Sequence, residues 1–289
     1  MKNRGRLSKL AQLLVFLWSI GLMHGQARSN NNCSRRPCHN AKDCIDTENG
    51  FKCVCKDGFM GRLCHRPCRD IYQSCSRWKE EQQCDRVRSR TRFFDVNCAE
   101  SCNQCVRDEK IVLSNETLPP VLEPFFFLLG RWENNFGSHH RFPVDFNSPT
   151  DTYIESLDIR PSPVPMFGTP SIEISSTSTN IRDPNDVRVI TGFMTLKPKS
   201  RPLQVSMTCT SNEGLNTIEL GALQHNMLIT NITYMQIHPE LKLSGVPLGG
   251  TRLFRRNGRH LEMIARKLDQ QSKLVEFRKL YFKTFTYQI

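Results

Sequence analysis

Cys53-Val54-Cys55-Lys56-Asp57-Gly58-Phe59-Met60-Gly61-Arg62-Leu63-Cys64 is the stretch whose reading decides how the first third of the chain folds. Closely spaced cysteines around Gly58-Phe59-Met60-Gly61 leave little apolar surface to bury. Such a segment is stapled by disulfides and turned by glycine. Upstream the spacing runs Cys33, four residues, Cys38, five, Cys44, eight, Cys53. Downstream lies a second set, Cys68, six residues, Cys75, eight, Cys84, thirteen, Cys98, three, Cys102, two, Cys105. Twelve of the 13 cysteines fall between Cys33 and Cys105, and Cys209 stands apart. That density requires an oxidising compartment.

The amino terminus agrees. Basic Lys2, Arg4, Arg6 and Lys9 precede an apolar run from Leu10 to Met23 and then Gly25-Gln26-Ala27, a cleavage site for a signal peptide over residues 1–27. The alternative is an uncleaved signal-anchor, which makes a type II membrane protein. Both place the rest of the chain outside the cell, as a secreted or a cell-surface protein, with the membrane reached only through that anchor. The formal charge of +12 points to acidic partners. Export excludes nucleic acid and leaves an extracellular protein or an anionic matrix glycan. Sequons at Asn32, Asn115 and Asn231 are candidates for N-glycosylation.

The first set, with Asn49-Gly50-Phe51 and Gly58-Phe59-Met60-Gly61 at hairpin turns, resembles an EGF-like module over residues 33–64. Six cysteines alone leave the pairing open. The resemblance implies Cys33–Cys44, Cys38–Cys53 and Cys55–Cys64. Some such modules bind calcium; here Asp46 and Phe51 fit, but Asn30-Asn31-Asn32 lacks the carboxylates a hard cation prefers, so calcium is not expected.

The second set, with Asp70 and the ending Cys98-Ala99-Glu100-Ser101-Cys102-Asn103-Gln104-Cys105, is similar to the ShKT family over residues 68–105, a small disulfide-rich module with short helices. That family implies Cys68–Cys105, Cys75–Cys98 and Cys84–Cys102. Its channel-blocking toxins carry a Lys-Tyr pair where this chain has Arg92-Phe93. A guanidinium fork cannot plug a narrow carbonyl-lined pore as an ammonium does, so channel block is not expected. Arg86, Arg88, Arg90 and Arg92 alternate with other residues. In an extended chain all four would face one way, a stripe suited to sulfates or carboxylates of a glycan. In a solvated loop they would pair with Asp85 and Asp95.

Residues 106–118 form a polar linker ending at Pro119-Pro120. Beyond it, strand-like runs recur at Thr152–Ile159, Ser171–Ser176, Val187–Leu196, Leu203–Thr210, Asn216–Leu220, Met227–Ile237, Arg252–Arg255, His260–Ala265 and Leu274–Phe285. A short helix is expected within Pro119–Leu129. The whole is mainly β, and this part an antiparallel barrel or sandwich. Leu118-Pro119-Pro120-Val121-Leu122-Glu123-Pro124, Leu128-Leu129-Gly130-Arg131-Trp132, Phe142-Pro143, Tyr153-Ile154-Glu155 and Gly192-Phe193-Met194-Thr195-Leu196-Lys197-Pro198 resemble the nitrobindin-like β-barrels over residues 119–289. The order of the three modules is similar to that of nematode extracellular proteins.

The nitrobindin-like resemblance implies a haem held by a histidine on the closing strand. Counting back five residues from Tyr281, with Lys283 nearby, reaches Glu276, and no histidine follows His260. A carboxylate on an interior face is a poor replacement for imidazole, so haem is not expected in the family manner. Glu276 faces the cavity or turns outward to Arg278 or Lys279. Val205, Met207 and Cys209 share the apolar face of their strand and are candidate cavity residues, with Cys209 either inert in a core or touching a small apolar ligand. His139-His140 lacks a third metal ligand at recognisable spacing and reads as a loop pair in the glycine-rich turn after Trp132, and no metal site is expected. Asn231 shares parity with Met227, Ile229, Met235 and Ile237, so either its sequon is unused or the strand bulges. No hydrolase or phosphate-loop motif occurs. The expected function is non-enzymatic: an interaction protein of cell surface or matrix, in adhesion, signalling or morphogenesis. The rivals are a haem or lipid carrier and a secreted haem-dependent nitrogen-oxide enzyme.

Overall fold

A computed structural model of the chain describes residues 32–48, 50–111, 113, 115–138, 152–164, 168–239, 249–268, 273–287 and 289. The amino-terminal apolar run and His139-His140 lie outside them.

In the first cysteine module β1 (Ala41–Thr47) and β2 (Gly50–Cys55) form an antiparallel hairpin, followed by the two-residue pair β3 (Phe59–Met60) and β4 (Arg66–Pro67). Bridges join Cys33–Cys44, Cys38–Cys53 and Cys55–Cys64. Asp46 accepts the backbone N–H of Cys33 at 3.0 Å, which ties the start of the module to its hairpin. The second module consists of α1 (Cys75–Glu80), α2 (Gln83–Arg86) and α3 (Phe93–Asn97). Helices this short do not persist alone. Bridges Cys68–Cys105, Cys75–Cys98 and Cys84–Cys102 hold them, with Tyr72, Trp78 and Phe94 packed on the buried sulfurs.

The rest is a closed antiparallel barrel of ten strands: β5 (Gly130–Ser138), β6 (Tyr153–Pro161), β7 (Ser171–Asn180), β8 (Val187–Lys197), β9 (Leu203–Ser211), β10 (Leu215–Gln224), β11 (Met227–Ile237), β12 (Gly249–Asn257), β13 (His260–Leu268) and β14 (Leu274–Phe285). Each strand pairs with the next and β14 returns to β5, so the barrel has no free edge. One expectation is corrected, and the short helix expected within Pro119–Leu129 is present. Gly130–Ser138, with its glycines and asparagines, read as a turn but is a strand, because pairing to both β6 and β14 supplies the order its residues do not favour. The segment before it is a 3₁₀ helix, Pro120–Phe125, with Pro124 inside. Its Leu122 and Phe125, with Leu128, are fully buried in the same core as Trp132, Ile159, Ile172, Met194 and Leu228. The indole N–H of Trp132 donates to the Leu128 carbonyl at 2.8 Å and leaves no unmet donor.

The modules are joined by more than the chain. Arg66, at the end of the first module, is buried; its guanidinium donates to the Leu118 carbonyl at 3.2 Å and lies 3.1 Å from Glu123 of the 3₁₀ helix. Arg69 bonds the Glu116 carbonyl, and Gly58 donates to the Val106 carbonyl at 2.7 Å. The linker is therefore laid against the first module. At Gly58, with φ of 84°, a Cβ would lie 2.6 Å from Ile111.

Candidate functional site

The barrel interior divides along its axis. Inward positions near the starts of β8 and β10 and the ends of β7 and β9 border a polar half, while the 3₁₀ helix packs into the apolar half. The polar half holds Glu155 on β6, Ser176 and Ser178 on β7, Arg188 on β8, Glu219 on β10, Thr230 on β11, Arg252 on β12 and Lys279 on β14. Two ion pairs cross it. Arg252 bonds both carboxylate oxygens of Glu219, and the Thr230 hydroxyl donates to the same carboxylate at 2.6 Å. The Lys279 ammonium bonds Glu155, whose second oxygen accepts from Ser176 at 2.5 Å. Burial pushes the Glu155 carboxyl up, but the Lys279 charge and the bonds from Lys279 and Ser176 outweigh it and hold it below the usual carboxylate value. The fully buried Tyr281 hydroxyl faces Glu155 without a hydrogen bond of ordinary geometry. Burial and then the Glu155 charge push this phenol well above its usual value.

Val205, Met207 and Cys209 are buried on the inner face of β9. Cys209 lies opposite Gly192, where a Cβ would come 2.7 Å from its sulfur and 2.1 Å from the Thr208 carbonyl oxygen. The thiol therefore fills space that glycine leaves. Burial pushes it up to about 11, with Arg252 working against the shift, so it is protonated at neutral pH and is not a nucleophile. Glu155, Arg188, Cys209, Arg252 and Tyr281 border a cavity of about 40 Å³. That is room for a water or two, against roughly 300–1,000 Å³ for small-molecule pockets.

Glu276, a candidate cavity residue on sequence, is on the outer face. Phe277, Lys279 and Tyr281 occupy the inward positions of β14, and the period of two turns Glu276 the other way. There it pairs with Arg266 at 2.6 Å and Arg278 at 3.3 Å, and the Arg266 hydrogen bond leads in holding its carboxyl below the usual value.

Of the two readings of the arginines, the loop paired to Asp85 and Asp95 holds and the extended stripe does not. The segment is not extended: α2 ends at Arg86, and the N–H groups of Arg90 and Thr91 both turn back to the Val87 carbonyl. Arg88 is committed to Asp95 at 3.0 Å and Asp85 at 2.7 Å, and buried Asp95 also lies 3.8 Å from Arg92. Arg86, Arg90 and Arg92 are exposed, and Phe93 beside them is exposed at the edge of an aromatic cluster with Tyr72, Trp78 and Phe94.

The sequons differ in their surroundings. Asn115 is exposed; the Asn32 amide donates to the Gly50 carbonyl at 3.2 Å. At Asn231 the strand bulges. Ile218 pairs with Tyr234 and Glu219 with Ile232, so Thr233 is the extra residue of β11. The bulge reverses parity, so Asn231 and Tyr234 both stand outside.

An EGF-like domain model matches residues 33–63. The mouse basement membrane-specific heparan sulfate proteoglycan core protein is 39% identical over 64 residues, 21% of this chain and 2% of that protein. An uncharacterized Caenorhabditis elegans protein, C28H8.5, is 24% identical over 163 residues, 53% of this chain and 52% of that one. The chain thus spans about half of one relative's length and a small part of the other's. A crystal structure of Rv2717c from M. tuberculosis aligns with a TM-score of 0.43 at 15% identity, over 58% of this chain and 99% of the other. The matched module and the six disulfides suggest an extracellular protein, and an EGF-like domain beside a β-barrel fits an interaction protein.

Proposed function

We propose that the chain is a non-enzymatic extracellular protein in which an EGF-like and a ShKT module are held rigidly on a nitrobindin-like barrel, and that it binds an anionic matrix glycan or an acidic extracellular protein in adhesion, signalling or morphogenesis. The observation that carries the reading is the exposed group Arg86, Arg90 and Arg92 on a disulfide-locked module. Guanidinium groups on a frame that loses little freedom on binding are suited to sulfate and carboxylate. The barrel then serves as scaffold. Its polar half is spanned by ion pairs, and no catalytic role is assigned to them.

Heparin chromatography tests the glycan arm. Replacing Arg86, Arg90 and Arg92 together with Ser should lower the salt needed for elution, while Arg88→Ser should leave elution nearly unchanged and loosen the module instead. Equal elution of the triple variant and the unaltered protein would assign the positive charge to a merely solvated surface.

The carrier and nitrogen-oxide readings draw on Tyr281 and Cys209 at the cavity. Entry of haem would require breaking the Arg252–Glu219 and Lys279–Glu155 pairs, for which a 40 Å³ space offers no compensation. Haemin added to the full chain should give no sharp one-to-one Soret band; a stoichiometric band lost in Cys209→Ser would overturn the scaffold role.

A further inference from the structure

The outer surface of the barrel is sorted by charge. On β6, β7 and β12–β14 outward residues form ion pairs, Arg160–Glu173, Arg255–Glu262 and Arg266–Glu276 among them. On β8–β11 the outward positions are instead mostly uncharged, threonine, serine, asparagine and glutamine beside half-buried Val187, Val189, Ala222, Met227 and Ile229 and four exposed apolar side chains: Phe193 (53% exposed), Ile218 (36%), Leu220 (49%) and Tyr234 (51%). Lys197, at the strand end, is the charged residue among these outward positions. The register places Phe193, Thr208, Ile218 and Tyr234 in one row across four strands about 4.8 Å apart. Beside it, Thr195, Gln204, Ser206 and Leu220 border a shallow groove of about 380 Å³. Exposed apolar side chains gathered on one face mark a surface that another group contacts.

The sequon lies within the band. Asn231 pairs directly with Leu220, and the Thr233 bulge keeps Asn231, Thr233 and Tyr234 together on the outside. Asn231 Oδ1 accepts the Thr251 hydroxyl at 2.8 Å, which leaves Nδ2, the atom that would carry a sugar, directed away from that bond. At Asn32 the corresponding amide is spent on Gly50.

We infer that Asn231 carries an N-linked glycan whose neutral sugars lie over the band, their apolar faces on Leu220, Ile218 and Tyr234 and their hydroxyls among the serine, threonine and glutamine side chains of the groove. This rests on the extracellular reading. Apart from Lys197 at its end the band carries no charge, which distinguishes it from the arginine-bearing surface of the second module, and sugar neutrality suits it. The full chain should be produced with its own amino terminus in secreting animal cells and its glycopeptides identified by mass. Asn231 should be occupied. Removal of the glycan from folded protein by an amidase, or its absence in Asn231→Gln, should raise binding of an apolar dye and promote self-association; Thr233→Ser, which keeps the sequon, should do neither. A bare Asn231 beside an occupied Asn115 would overturn the inference and leave the extracellular reading standing; both bare in a retained, reduced chain would overturn that reading as well. An occupied Asn231 whose deglycosylation changes neither dye binding nor self-association would overturn the covering role.

Discussion

Glu219 is fully buried between Arg252 and Thr230, and nothing near it in the sequence announces this. On β10 the apolar residues Ile218 and Leu220 invite an inward reading, yet Thr217 and Glu219 are the buried ones. The pattern is inverted because the partner charge arrives from β12, 33 residues away. Removing one member of a buried pair strands the other. Glu219→Ala should therefore destabilise the barrel by about 3–5 kcal/mol, whereas Glu219→Leu with Arg252→Met should recover most of the loss, as measured by urea unfolding. An equal loss in the double variant would mean the pair contributes through shape alone. Asp186 offers a test by pH. Burial pushes its carboxyl up, but bonds from Tyr153, Arg188 and Asn180 prevail and bring it to about 2. Its folded value lies below the ordinary 3.8, so its contribution is present above about pH 4 and is lost as pH falls toward 2. Melting temperature should fall across that window less steeply in Asp186→Asn than in the unaltered protein.

At the scale of elements, legibility followed how local the determining contacts are. Nine strands from Thr152–Ile159 to Leu274–Phe285 could be read from alternation and turns, with ends displaced by a few residues. The tenth, Gly130–Ser138, could not, since a polar, glycine-bearing strand is specified by its neighbours on both sides. On β11 the sequence showed a conflict of parity at Asn231 but not its resolution, because a bulge at Thr233 depends on the register with Ile218 and Glu219. In the second module, alternation of arginines left two readings, an extended stripe and a loop paired to Asp85 and Asp95, and the second holds. The segment turns rather than extends, because bridges at Cys84 and Cys98 fix both of its ends and Asp95 draws in Arg88. Of the candidate cavity set, Val205, Met207 and Cys209 were legible through the period of β9; for Glu276 both faces stayed open in the sequence, and the register of β14 turns it outward to Arg266 and Arg278.

For the whole molecule, cysteine spacing marked the two modules, but their attachment to the barrel was invisible in sequence. Arg66 reaches Leu118 and Glu123 across more than fifty residues, with its guanidinium buried at the junction. The framework depends on oxidation of its cysteines, since loss of a bridge in modules this small costs about 2–5 kcal/mol. The most direct test is peptide mapping under nonreducing conditions of the full chain, produced from its own amino terminus in secreting cells. The protein should be found outside or on the cell surface with Cys33–Cys44, Cys38–Cys53, Cys55–Cys64, Cys68–Cys105, Cys75–Cys98 and Cys84–Cys102 formed and Cys209 free; a chain retained inside with reduced cysteines, or a bridge joining the two modules, would contradict it.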